Sequence, residues 1–153
     1  MITEIKEGFA EALGLVWEVF QEFEAPEYPE AGVEMFKSFI DVKNIEEMIE
    51  KGIMRIWGYY VGDIIAGVIA TRNISHISLL FVKKEFHRKG IASKLFHVFK
   101  ENAVDTGCKE LTVNSSPYAL EFYRKMGFID LSGEMISDGI RYIPMKILIE
   151  YNK

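Results

Sequence analysis

The chain is predicted to be an α/β protein of the α+β kind, built on a mixed central sheet of about six to seven strands flanked by about four helices. Three stretches predict it. Residues 76–82 are apolar at nearly every position, 90–105 place apolar residues at three- and four-residue spacing, and 110–114 read again as a strand. A strand, helix and strand in that order close as a right-handed crossover between parallel strands. Upstream, the apolar runs 53–60 and 64–72 are separated by Val61-Gly62-Asp63, a hairpin signal that adds an antiparallel pair. At the N-terminus, Phe9, Leu13, Val16, Trp17, Phe20 and Phe23 trace one face of a helix.

The elements follow in order. Residues 2–5 read as a short strand and 8–23 as the amphipathic helix. Helices over about 30–41 and 44–51 come next, the second opening on Asn44 as N-cap with Glu46 and Glu47 in its first turn. After the hairpin and the crossover, 117–126 reads as a helix closed by Gly127. Residues 128–131 and 140–149 then complete the sheet as an antiparallel pair. Pro144 cannot donate a ladder hydrogen bond, so the last strand is expected to have a free edge over part of its length, and a homodimer paired along it is plausible.

Composition bounds the function. At 153 residues and 49% hydrophobic content the chain can bury roughly two-thirds of its unfolded surface, enough for one domain over 1–153. A formal net charge of −5 argues against nucleic acid as partner. No segment approaches the ~18 uninterrupted apolar residues of a membrane span, and the N-terminus lacks a basic segment followed by an apolar core, so the reading is cytoplasmic with no membrane partner. Cys108 is the only cysteine, which excludes an internal disulfide and a thiolate zinc cluster, and His76, His87 and His97 are too scattered for a metal site; no metal is expected. Cys108 reads as a small packed thiol and His97 as a surface residue of its helix.

Charge is unevenly spread. Lys83, Lys84, Arg88, Lys89 and Lys94 crowd the loop between strand 76–82 and the following helix, while Glu18, Glu22, Glu24, Glu27, Glu30 and Glu34 lie in a stretch without Lys or Arg. The basic loop opens a helix, so consecutive N–H groups from His87 to Ala92 are free, and helix N-termini favour phosphate. Gly90 and Ala92 let a ligand approach the backbone.

The run His87-Arg88-Lys89-Gly90-Ile91-Ala92 resembles the pyrophosphate loop of the GNAT N-acetyltransferase superfamily: Arg or Gln, two variable residues, Gly, one variable residue, Gly or Ala. Only His87 departs from it. The later segment from Asn114 to Phe128 resembles the family's next strand-to-helix unit, with Ala119, Tyr123, Gly127 and Phe128 in register and Ser116 where many members have Asn. The resemblance is specific over 76–128 and loose over 52–75 and 129–149.

It implies acetyl-CoA as acetyl donor, bound by Leu80, Phe81 and Val82 through the main chain, by His87, Arg88, Lys89, Gly90, Ile91, Ala92 and Ser93 at the loop and helix start, and by Asn114, Ser116 and Tyr123. The strand ending at Val82 is expected to splay from its neighbour and pair with the pantetheine arm, its Val82 amide donating to the thioester carbonyl. Tyr123 falls where many members carry the general acid; with an ordinary pKa of about 10 it holds a proton at neutral pH. His76 occupies the position of a catalytic Glu in some members and can take up the amine proton directly or through water; its other reading is a hydrogen-bonded structural residue at a strand start. The His87 side chain either contacts phosphate or points to solvent, with the backbone alone at work. The acceptor is an unidentified small-molecule or peptide amine. The six glutamates, with Trp17, Phe20, Phe23 and Tyr28 as walls, either form an acidic pocket for a multiply charged amine or are a solvated helix face. The alternative in another class is an acetyl-CoA or CoA sensor without turnover, which needs the loop but neither Tyr123 nor His76.

Overall fold

The computed structural model describes residues 1–150. Its strands are β1 (Ile2–Ile5), β2 (Met54–Val61), β3 (Ile64–Arg72), β4 (His76–Val82), β5 (Glu110–Ser115), β6 (Ile129–Asp130), β7 (Met135–Ser137) and β8 (Ile140–Leu148). Its helices are α1 (Ala10–Phe23), α2 (Glu30–Phe39), α3 (Val42–Glu50), α4 (Ile91–Asp105) and α5 (Leu120–Met126), with single 3-10 turns at Ala25–Glu27 and Lys84–Phe86. The mixed sheet runs β1-β2-β3-β4-β5-β8-β6, with β7 also paired to β8, and only β4 and β5 are parallel. Among the described residues the strand that the sequence reading did not contain is β7, which is three residues long and exposed, without an apolar period to reveal it.

The central strands are buried on both faces, which explains their apolar sequences. Residues of β3 alternate between two cores. Val68 and Ala70 meet Leu13, Val16 and Phe20 of α1 on one face, whereas Ala66 and Ile69 meet Leu95, Phe96 and Phe99 of α4 on the other. At ~25 cal/mol per Å² of apolar surface, a fully buried Phe20 or Phe99 contributes on the order of 2–3 kcal/mol before chain entropy opposes it. Both cores meet at β4, whose geometry defines the site.

Three expectations need correction. Asp41, not Asn44, caps α3: its carboxylate accepts from the Lys43 N–H at 3.1 Å, while the Asn44 side chain donates to the Phe39 carbonyl at 2.7 Å. Helix α5 begins at Leu120 rather than 117, because the Ser116 hydroxyl and carbonyl both accept from the Ala119 N–H and hold 116–119 as a turn. The last strand is not a sheet edge, since β5 lies on one side of it and β6 and β7 on the other. Pro144 sits where that second flank is interrupted, between β6 and β7, and its carbonyl accepts from the Leu131 N–H at 2.8 Å.

Candidate active site

Strands β4 and β5 pair only at His76 with Thr112 and Ile77 with Val113, then part. The divergence begins at a bulge: Thr71 faces Ile77 and Ala70 faces Leu79, leaving Ser78 as the extra residue of β4. Bulges bend a strand and re-aim its side chains. Beyond it β4 stays on β3 as far as the Lys83 N–H, which donates to the Ala66 carbonyl at 2.8 Å. Antiparallel strands alternate the direction of their polar groups, so the N–H and C=O of Val82 and Leu80 turn away from β3, into the gap. These groups have no β5 partner, and of them the Val82 carbonyl is met by His87 Nε2; the Phe81 side chain is buried.

The loop after β4 turns sharply into α4. Arg88 and Gly90 both have positive φ, 63° and 75°. For Arg88 that conformation costs ~1 kcal/mol or more. The first i→i−4 bond of α4 runs from the Lys94 N–H to the Gly90 carbonyl, so the amides from Arg88 to Ser93 lie outside the helical ladder, whereas the His87 N–H, expected to be free, closes the 3-10 turn on the Lys84 carbonyl at 3.2 Å. A Cβ added at Gly90 meets nothing within 4 Å, so the space over this turn is open. Arg88 and Lys89 are exposed there, Ala92 and Ser93 are partly exposed, and the Ile91 side chain is buried in the core. The His87 side chain does not point to solvent: its Nε2 lies 2.7 Å from the Val82 carbonyl and its ring packs on Phe23 at 5.2 Å. The carboxylate of Glu22 pairs with Lys84 at 2.9 Å.

A pocket of about 390 Å³ occupies the gap, lined among others by Glu24, Tyr28, Phe36, Arg72, His76, Ser78, Leu80, Asn114, Ser116 and Tyr123. Tyr123 is 4% exposed, packed on Phe122 and Phe128, and burial followed by the Glu24 charge raises its pKa above the ordinary tyrosine value. His76 holds Thr112 Oγ1 at 2.8 Å through Nδ1; burial first and Arg72 second push its pKa down to about 4. It is therefore a neutral imidazole at pH 7. Asn114 is exposed at the pocket wall, opposite Pro144 in the β5–β8 ladder. Ser116 faces Glu24 as well as the α5 turn.

A GNAT acetyltransferase domain model matches residues 24–149. The chain belongs to the GNAT acetyltransferase family. Among solved structures, a GCN5-related N-acetyltransferase (aminotransferase, class-II) from Rhodopseudomonas palustris aligns with TM-score 0.81 and 18% identity over 97% of this chain and 95% of its own. PaiA N-acetyltransferase from Thermoplasma acidophilum in complex with coenzyme A aligns with TM-score 0.77 and 18% identity over 97% and 99%. IAA acetyltransferase from Bacillus cereus aligns with TM-score 0.65 and 20% identity over 97% and 99%. At these identities the likeness is one of fold. A search of curated proteins finds no match.

In this GNAT domain the acidic stretch does not act as one surface. Glu18, Glu22, Glu27, Glu30 and Glu34 are exposed, Phe20 is in the core, and of the four aromatic walls expected only Tyr28 lines the pocket. Glu24 alone turns inward. It follows α1, where the helix gives way to the 3-10 turn, and burial raises its pKa to about 7 against the opposing pull of a Ser116 hydrogen bond. Sequence reasoning grouped it with its neighbours because a charge run carries no sign of which member the helix end turns inward. Arg72 and Arg141 also line the pocket and were missed, since both sit at strand positions without a motif. Arg141 binds Glu134 through two nitrogens and the Glu27 carbonyl, tying the β7–β8 hairpin to the segment after α1.

Proposed function

We propose that the protein is an acetyl-CoA-dependent N-acetyltransferase that passes the acetyl group directly to an amine within a ternary complex. The observation that carries this reading is the open main-chain edge at Leu80 and Val82 beside the free amides that open α4. An extended arm bearing amides adds to such an edge as a strand does, and a pyrophosphate suits a helix N-terminus. Coenzyme A joins these two chemical features covalently. Bound there, acetyl-CoA supplies an activated thioester.

The side chains divide the work. The Val82 amide donates toward the acyl oxygen, where negative charge develops. The incoming ammonium gives one proton to a base and thence to water. A second proton leaves the nitrogen as the C–N bond forms and passes through the base and water to replace the one that Tyr123 gives up. The electron pair of the breaking C–S bond leaves on sulfur, which takes a proton from Tyr123. The proton acceptor is either His76, already neutral, acting directly or through water, or Glu24, whose pKa lies near neutrality; an amine held at the Glu24 end of the pocket uses Glu24. A CoA sensor needs the cradle alone and gives no reason for these inward polar groups.

Calorimetric titration of acetyl-CoA and CoA into the wild type and Gly90→Glu tests the reading. Binding in the micromolar range, weakened roughly 100-fold or more by a carboxylate facing the phosphates, is expected. No binding to the wild type removes the proposal.

A further inference from the structure

Resting on that reading, we propose that the acceptor is an amine that also carries an acidic group, bound with its amine toward Glu24 and Tyr123 and its anionic end on Arg72. Arg72 ends β3 directly opposite His76, so the two side chains share one face of the sheet, and both line the pocket. Of the other arginines, Arg88 is exposed on the loop before α4, and the remaining three are paired: Arg55 with Glu4, Arg124 with Glu121 and Asp130, Arg141 with Glu134. Among the described residues no carboxylate lies within ion-pair distance of Arg72, whose guanidinium rests over the Phe39 ring at 5.8 Å.

Two polar atoms at this end of the pocket lack partners. Arg72 Nε and Ser78 Oγ are both buried without a hydrogen bond, and Ser78 is the bulge residue that opens the gap. Buried polar groups are almost always paired, and a buried charge without a partner is costly. A carboxylate or similar anion arriving with the acceptor accepts from both, in the charge-assisted geometry guanidinium favours.

The other end has the opposite character. Glu24 faces Ser116, Tyr28, Tyr118 and Tyr123, and no cation figures among the groups that shift it. Arg72 and Glu24 thus mark separate ends. Between them Phe36, Phe39, Leu80 and Phe81 offer an apolar wall suited to a methylene chain. Arg141 is neutralised by Glu134, and Asp138 is exposed at the rim. An ammonium at Glu24 and an anion at Arg72 leave both ends paired; a multiply charged cation sets like charge against Arg72.

The test uses ω-amino carboxylates from 4-aminobutanoate to 8-aminooctanoate, their carboxamides, and diamines of matched length, with thiol release read at saturating acetyl-CoA. The carboxylate at the best length is expected to exceed its carboxamide about tenfold or more in kcat/KM, chiefly through KM, because an acceptor that cannot pair Arg72 leaves it unsatisfied. Arg72→Gln should bring that ratio near unity and Arg72→Lys should keep part of it, with circular dichroism reporting the fold of each. If Arg72→Gln does not fold, the wild-type ratio and Arg72→Lys decide. Equal or better use of carboxamides or diamines, or a ratio that survives Arg72→Gln, overturns the proposal. So does turnover of none of these amines by a protein that binds acetyl-CoA, an outcome that leaves the acetyltransferase reading standing. Failure to bind acetyl-CoA overturns both.

Discussion

The proposed cradle for the acyl donor and the proposed pocket for the acceptor touch along β4, yet they are built in opposite ways. The cradle is one continuous piece of chain, from Leu80 to Ser93, and works largely through backbone groups oriented by a strand end, two positive-φ residues and a helix start. The pocket is a convergence of residues from 24 to 142, brought together by the end of α1, the β3–β4 bulge, the start of α5 and the β7–β8 hairpin. A site made of local backbone tolerates many side chains and fails when the backbone is blocked. A site made of distant side chains fails when any one of its supports moves.

Tyr123→Phe should separate the two halves most sharply. It removes the proposed proton donor and leaves the backbone of the cradle in place, so kcat is expected to fall about 100-fold or more with affinity for acetyl-CoA little changed by calorimetry. A variant with unaltered kcat would return Tyr123 to a purely structural role. Glu24→Gln comes next. Because the raised pKa of about 7 means that Glu24 ionises near neutrality, wild-type kcat/KM should climb as pH rises through about 7, and the variant should lose that limb together with roughly 10- to 100-fold of its activity. An unchanged pH profile would exclude Glu24 as a proton acceptor.

Gly32→Ala probes the support rather than the chemistry. The N-terminus of α2 meets the β7–β8 turn backbone to backbone, and a Cβ on Gly32 would lie 2.7 Å from the Gly139 carbonyl carbon. We expect a loss of about 1–3 kcal/mol, a drop of several degrees in Tm and a raised KM for the acceptor, with acetyl-CoA binding spared. If acetyl-CoA affinity falls equally, the halves are not independent.

His76 supplies a pH-dependent test. Its folded-state pKa is depressed from 6.5 to about 4, so between these values the unfolded chain binds more protons and stability falls as pH drops from 6.5 toward 4. Glu24, raised from 4.5 to about 7, has the opposite slope: stability falls as pH rises across that window. The two oppose each other between 4.5 and 6.5, so the His76 part is read as the difference between wild type and His76→Gln, on the order of 2 kcal/mol by pH 4. A difference that does not change with pH would mean the imidazole titrates normally. The smallest effect is expected at the β3–β4 turn, away from both sites. Ile74 holds φ of 72°, and Ile74→Gly should stabilise by about 1 kcal/mol in denaturant unfolding with activity unchanged.

Legibility followed the same division. The strand, basic loop and helix of the cradle could be read because each is set by nearest neighbours: an apolar run, a glycine at positive φ, a 3.6-residue period. Even there His87 was open, since only the fold brings its ring to the Val82 carbonyl and Phe23. The cap of α3 was displaced by three residues because Asp41 and Asn44 are both good caps, and the competing bond from Asn44 to Phe39 decides between them. The second flank of β8 was legible only in part: the pairing of 128–131 could be read, but β7 is three exposed residues without any periodic signal.

By itself the sequence determined what short-range physics dictates: the order of strands and helices, the crossover, the bent loop with its free amides, and the register that puts Tyr123 on a buried helix face. Tertiary structure alone decided which of six glutamates leaves water, where β4 parts from β5, and that Arg72 and Ser78 end up as partnerless polar groups in the same pocket. Desolvation and convergence depend on which distant segments pack together. No local pattern encodes that.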